Sequence, residues 1–395
     1  MIGIISLYFQ TNNYGGVLQS YATCMSVQKY TDCHAEQICF FAAKDKTTAF
    51  SVRSKVLSVF FKLRNIALYP KYFKALWNRI SFNLKTLCWK KQLQRINAEK
   101  GKAFLFFSEQ VVPHSTIIYG ALSIASAANR YEAFIAGSDQ VWNPSFYSPA
   151  YLLDFVPSDK IKISYAASIA KESLTEDEKE VFKKSLSDYK AVSVREAKAA
   201  ELIKDFSPVE PQVVLDPTLL LDREDWDRVC ASRVVNDDYL FCYFLGDNKR
   251  ERRLALKFAR QENLKVVSVP LTGAKIYSDL KYGDIVLLAA SPEEFISLIK
   301  HARYIFTDSF HAVVFSKIYE RQYFVFNRDK KESMNSRIYD ITKLFHTQER
   351  FCDSKEKESL AYINSLPDID YSVSNRDFDE MKEKSIQFLK TNLAV

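Results

Sequence analysis

Arg303-Tyr-Ile-Phe-Thr-Asp-Ser-Phe-His-Ala-Val-Val-Phe-Ser316 is the stretch on which the reading of this chain turns. A short apolar strand over 304–307 runs into a polar turn, and Asp308 or Ser309 can cap the helix that follows over 309–319. His311 then falls in the first helical turn, beside amides that a helix leaves without partners. A histidine there can meet an anion and exchange protons near neutral pH. The plainer alternative is a capping or core histidine.

The same strand–turn–helix unit recurs on both sides. Apolar runs predict strands over 2–8, 38–41, 133–136, 162–167, 191–194 and 212–215. Helical spacing is read over 14–29, 176–186 and 197–204. Past Pro217 the alternation restarts, with strands over 239–245, 265–269, 285–288, 304–307 and 323–326. Helices are expected over 249–261, 292–301, 309–319 and 338–345. Strands alternating with helices predict parallel sheets in an α/β protein, and two such series predict a cleft between two units. We divide the chain into 1–215, 216–375 and a C-terminal amphipathic helix in 376–395 that can cross back to the first unit.

Length and composition agree with that plan. The chain has 395 residues, 47% hydrophobic, enough for two or three domains with sizeable cores. Nine glycines and eleven prolines exclude collagen-like or linker-dominated chains. The start, Met1-Ile-Gly-Ile-Ile-Ser-Leu-Tyr8, lacks a basic leader and reads as a buried strand rather than a signal peptide. No apolar run approaches the roughly 18 residues of a membrane span. Seven cysteines without a Cys-x-x-Cys pair read as reduced thiols in a cytoplasmic protein.

The net charge of +7 is unevenly spread. Residues 44–102 hold fifteen Lys/Arg against two acids, Asp45 and Glu99, interleaved with Phe, Trp, Tyr and Leu. This insertion reads as a surface for an anionic membrane through 52–91, or as a helical insertion packed on the protein with solvated lysines. Nucleic acid is disfavoured, because no nucleic-acid motif accompanies the charge.

Glycines mark the remaining candidates. Gly15, after Asn13 and Tyr14, follows the first strand; Gly137, before Ser138 and Asp139, follows another. Glycine turns at strand ends let backbone amides approach a ligand, or are plain tight turns. Asp139 can orient a sugar hydroxyl, act as a base or cap a helix. Trp142 can stack on a sugar or fill the core. Arg195, just past a strand, can grip a carboxylate or phosphate. Ser309, Lys317 and Arg337 complete the candidate anion-binding set. No metal-ligand spacing, nucleotide P-loop or dinucleotide fingerprint appears.

Six segments in one order become specific together: Asn12-Asn-Tyr-Gly-Gly-Val-Leu-Gln19, Phe134-Ile-Ala-Gly-Ser-Asp-Gln-Val-Trp-Asn143, Ile163-Ser-Tyr-Ala-Ala-Ser168, Val192-Ser-Val-Arg-Glu196, Val214-Leu-Asp-Pro-Thr-Leu219 and Thr307-Asp-Ser-Phe-His-Ala-Val-Val-Phe-Ser316. The set resembles the polysaccharide pyruvyl transferase family over roughly residues 2–350, outside the insertion. The resemblance implies two Rossmann-like domains facing a cleft, as in GT-B glycosyltransferases. It implies transfer of pyruvate from phosphoenolpyruvate to a sugar as a cyclic ketal, in capsule or exopolysaccharide biosynthesis. The implied acceptor is a galactose-type residue on a polyprenyl-diphosphate-linked oligosaccharide. The implied location is the inner face of the cytoplasmic membrane. Phosphoenolpyruvate is then a co-substrate, and no cofactor or metal is expected. His311 matches the family's proposed acid–base histidine, with Asp139 as our second catalytic candidate, and Arg195 matches its donor-binding arginine. Ser309 departs from members that carry a basic residue there. Two other readings are a nucleotide-sugar glycosyltransferase on the same architecture and a non-catalytic, membrane-docked assembly component.

Overall fold

The computed structural model describes residues 1–41, 89–146, 148–271, 277–328, 332–373 and 375–393. Its first half contains β1 (Ile2–Ile5), β2 (Ala35–Phe40), β3 (His114–Tyr119), β4 (Ala133–Ala136), β5 (Ile161–Ser164), β6 (Ser193–Val194) and β7 (Gln212–Val213). The second contains β8 (Tyr239–Tyr243), β9 (Lys265–Ser268), β10 (Ile285–Val286), β11 (Tyr304–Thr307), β12 (Gln322–Phe326) and β13 (Phe351–Cys352).

The first sheet runs β3-β2-β1-β4-β5, with every pairing parallel. Bridges Ile163 to Ala191 and Ala167 to Val194 link it to the β6-β7 pair. The second runs β10-β9-β8-β11-β12-β13, also all parallel. Counted within each half, both follow a doubly wound order beginning 3-2-1-4-5. The winding reverses between β1 and β4 and again between β8 and β11, and such reversal points open a crevice at the strands' C-terminal ends. The strands are apolar on both sides because helices cover both faces; all four residues of β1 and of β4 are buried.

Local signals account for several helices. Thr175 with Glu178 and Ser291 with Glu294 form reciprocal capping boxes at Glu176–Leu186 and Pro292–Lys300. The helix Arg376–Leu393 follows the second sheet in sequence but packs on the first half. There Ser385 Oγ accepts from Leu215 N at 2.9 Å, and Phe388 meets the Tyr165 ring.

Elements without a counterpart in the sequence reading include β3, β13 and the helices Lys90–Phe106, Arg223–Asp227 and Leu360–Ser365. Strand β3 sits at the sheet edge with Thr116, Ile117 and Ile118 exposed, so it lacks a buried alternation. The helix Lys90–Phe106 was folded into the basic insertion, where its charge masked its packing. Residues 42–88, and with them most of the expected membrane-facing 52–91, lie outside the described residues. In this helix Leu93, Lys100 and Phe104 are buried. Lys100 Nζ lies 4.9 Å from the Tyr14 ring centroid, and Phe104 packs on the same ring.

Burial pushes the Lys100 ammonium down to about 8. The unfolded chain holds that proton more tightly, so burial costs stability in full below pH 8. The cost fades as pH rises toward the free-lysine value near ~10.4. Lys100→Met should therefore raise the unfolding free energy at pH 7 by roughly 1–3 kcal/mol, the cation–π contact offsetting part of the gain. The gain should shrink by pH 10. Urea unfolding at both values checks this; equal midpoints for the two proteins at pH 7 would refute it.

Candidate active site

The two crevices face one another and enclose a cavity of about 330 Å³. From the first half, Asn13, Tyr14 and Gly15 follow β1, Asp139 and Gln140 follow β4, and Arg195 follows β6. From the second, Tyr243 and Leu245 come from β8 and its end, Ser309, Phe310 and His311 follow β11, and Arg328 follows β12. Arg337 enters from the helix Glu332–Leu344.

Two helices begin at this cavity. Tyr14–Tyr30 starts at Asn13 and Phe310–Ile318 at Ser309. Neither N-cap side chain makes a capping bond, and neither first turn holds an acid. Their amides and dipoles thus remain directed at whatever enters, which favours an anion. Asp308 does not cap either. Its carboxylate accepts from Leu245 N and Gly246 N, both at 2.7 Å, and so ties the end of β8 to the end of β11.

Beneath the cavity lies a charge network. Asp216 is fully buried: Oδ1 accepts from Thr218 N and Oγ1, and Oδ2 from Ser138 Oγ at 3.2 Å and Arg195 Nη1 at 2.8 Å. His311 Nε2 lies 3.6 Å from the same Oδ2. Burial alone would raise the Asp216 carboxyl, but the neighbouring imidazole and guanidinium prevail and hold it well below the usual carboxylate range. Arg195 also faces Glu196 Oε1 at 3.4 Å and Asp139 Oδ1 at 3.5 Å, while Phe310 stacks on its guanidinium. Its Nη2 has no hydrogen bond among the described residues. Arg337 Nε lies 3.9 Å from Glu196 Oε1; burial, then Arg195, pushes it down to about 10, so it stays charged at neutral pH.

Asp139 adopts φ 64°, ψ −166°, a region almost confined to glycine. Holding it there costs of order 1–3 kcal/mol. The surrounding bonds enforce it: Asp139 O accepts from Ser168 N at 2.9 Å and Val141 N at 2.8 Å.

The family model for polysaccharide pyruvyl transferase matches residues 13–330. The chain belongs to that family. No curated protein matches it in sequence. Among solved structures, the UDP-GlcNAc 2-epimerase of Methanocaldococcus jannaschii aligns with TM-score 0.50 and 12% identity over 97% of this chain and 98% of that one. Its complex with UDP-GlcNAc and UDP gives 0.50 and 12% over 98% of each. The ADP-heptose lps heptosyltransferase II of E. coli gives 0.39 and 9% over 97% and 98%. The architecture is of the GT-B type.

In this transferase the sequence candidates divide. Asn13, Tyr14, Gly15, Asp139, Arg195, Ser309, His311 and Arg337 meet at the cavity. Four do not line it. Trp142 is core: its Nε1 donates to Tyr151 O and its ring packs on Phe182 and Tyr189. Lys317 lies in the last turn of its helix, against Tyr371 and Phe378, carried away from the helix start that faces the cleft. Gly137 is packed on β1, where a Cβ would come within 3.2 Å of Ile5 O. Ser138 lies one layer below, bonded to Asp216. Tyr14 reaches the cavity with its ring, but its hydroxyl is committed to Ala290 O at 2.7 Å and its ring to Phe295. It is a strut between the halves.

Asp216, Glu196 and Arg328 were not singled out as site residues. The first two stand inside quoted motifs, Val214–Leu219 and Val192–Glu196, which was the available signal. Arg328 carried none. Among the described residues, no group of three or more His, Cys, Asp or Glu is placed to hold a metal, and no helix is long and apolar enough to cross a membrane.

Gly15 has a specific reason to be glycine. A Cβ there would come within 2.2 Å of His311 Nδ1. Gly15→Ala gains about 1 kcal/mol of helix propensity but incurs overpacking of about 1–3 kcal/mol. We expect a small net loss of stability and at least about a tenfold loss of turnover, because the imidazole must move. Steady-state kinetics beside a thermal melt test this, and unchanged kcat would refute it.

Proposed function

We propose that this chain transfers pyruvate from phosphoenolpyruvate to two hydroxyls of a sugar, forming a cyclic ketal. The observation that carries the reading is the convergence of two uncapped helix N-termini with Arg195, Arg328 and Arg337 around one histidine. That set matches a small, doubly anionic donor.

The chemistry balances without a redox partner. His311 delivers a proton to C3 of the enol, leaving cationic character at C2. A sugar hydroxyl attacks C2 and its proton returns to the imidazole. The C2–O bond to phosphate breaks; the second hydroxyl closes the ring and its proton leaves with phosphate. The helix ends and arginines meet the carboxylate and the departing phosphate. Placing donor and acceptor side by side supplies the entropic share of the acceleration. A galactose-type, lipid-linked acceptor and a capsule or exopolysaccharide product fit the family, and the basic region 52–91 is our candidate for membrane contact.

A thermal-shift screen tests the donor. Phosphoenolpyruvate at 100 times its Kd should stabilise the fold by about 2.7 kcal/mol. Stabilisation by UDP or GDP, with none by phosphoenolpyruvate, would replace this reading with a nucleotide-sugar glycosyltransferase.

A further inference from the structure

His311, carried by the second half, presents both of its ring nitrogens to residues of the first. Nε2 is a buried atom with no hydrogen-bond partner among the described residues, and Asp216 Oδ2 lies 3.6 Å away. Nδ1 lies on the Gly15 side, 2.2 Å from where a Cβ on that residue would stand, and both residues line the cavity. Asp216 itself cannot swing toward a ligand, because Thr218, Ser138 and Arg195 hold both its oxygens.

We infer that Asp216 is a positioning residue that fixes His311 with Nε2–H turned toward it, so that Nδ1 is the nitrogen that exchanges protons with substrate. Three constraints converge on this. A solvent-excluded nitrogen cannot reach a ligand in the cleft. A carboxylate accepts but does not donate, so the nitrogen facing it carries the hydrogen. A fixed tautomer on one nitrogen leaves the other free to take up and release a proton. Because Asp216 follows β7 in the first half and His311 follows β11 in the second, the pair exists only while the halves are together. The role of Nδ1 in proton transfer rests on the proposed reaction; the tautomer does not.

The test is nitrogen-15 NMR of the full-length protein labelled at histidine, with His311 assigned by its loss in His311→Gln. At alkaline pH, where the ring is neutral, His311 should show a protonated Nε2 and a bare Nδ1. Asp216→Asn should weaken that preference and lower kcat at least about tenfold, with KM for phosphoenolpyruvate within about twofold of wild type. A protonated Nδ1 in the wild-type spectrum overturns the inference. So does a folded Asp216→Asn protein with full kcat. Should that variant fail to fold, the wild-type spectrum alone decides. Absence of phosphate release in the wild-type protein would count against the proposed reaction and leave the tautomer result standing.

Discussion

His311→Ala should release phosphate from phosphoenolpyruvate about 10²–10⁴ times more slowly than wild type in the presence of a galactose-containing lipid-linked acceptor. The imidazole is the one histidine side chain lining the cavity, and a positioned histidine is the commonest general acid–base group. Donor binding should survive, because the helix ends and arginines remain. The signature is therefore a fall in kcat with little change in the donor's thermal shift. Phosphate release at the wild-type rate would remove His311 from the mechanism. A lost thermal shift with intact kcat would move it to binding.

Arg195→Ala should cost about 3–5 kcal/mol of stability, the range for stripping one partner from a buried ion network. Its guanidinium lies within 3.5 Å of Asp216, Glu196 and Asp139, and its side chain is 3% exposed. Removal strands three carboxylates under the cavity. The effect should depend on pH in a definite direction. A carboxyl depressed in the fold contributes stability in full above its unfolded value near ~4, and loses it as pH falls through the folded value. Wild type should thus lose the Asp216 contribution only in acid, and the variant should lack part of it already at pH 7. Urea unfolding at pH 7 and near pH 2 measures both. Pairing the substitution with Asp216→Asn should give less than the sum of the two single effects, since the residues share one network. Additive losses would show that the two act independently.

These outcomes separate what was readable from what was not. Helices Glu176–Leu186 and Lys249–Gln261 and strands β4 and β11 were predicted with their bounds, because an apolar period and a cap are properties of neighbouring residues. Ends of the other predicted strands drifted by a few residues, since pairing partners distant in sequence set where a strand stops. Trp142 and Lys317 sit away from the cavity for a related reason. A residue type advertises chemistry, but the direction in which its side chain leaves the backbone depends on its place in an element and on what packs there.

Residues 303–316 by themselves established a strand, a turn and a helix with His311 in its first turn, because those are short-range consequences of φ/ψ preference, patterning and capping. The six ordered motifs established the family. Only the tertiary structure set Asp216 beside His311 and Gly15 against its ring, and surrounded Arg195 with three acids. Those contacts join residues far apart in the chain, and nothing local in the sequence encodes the distance between two side chains brought together by the docking of two sheets.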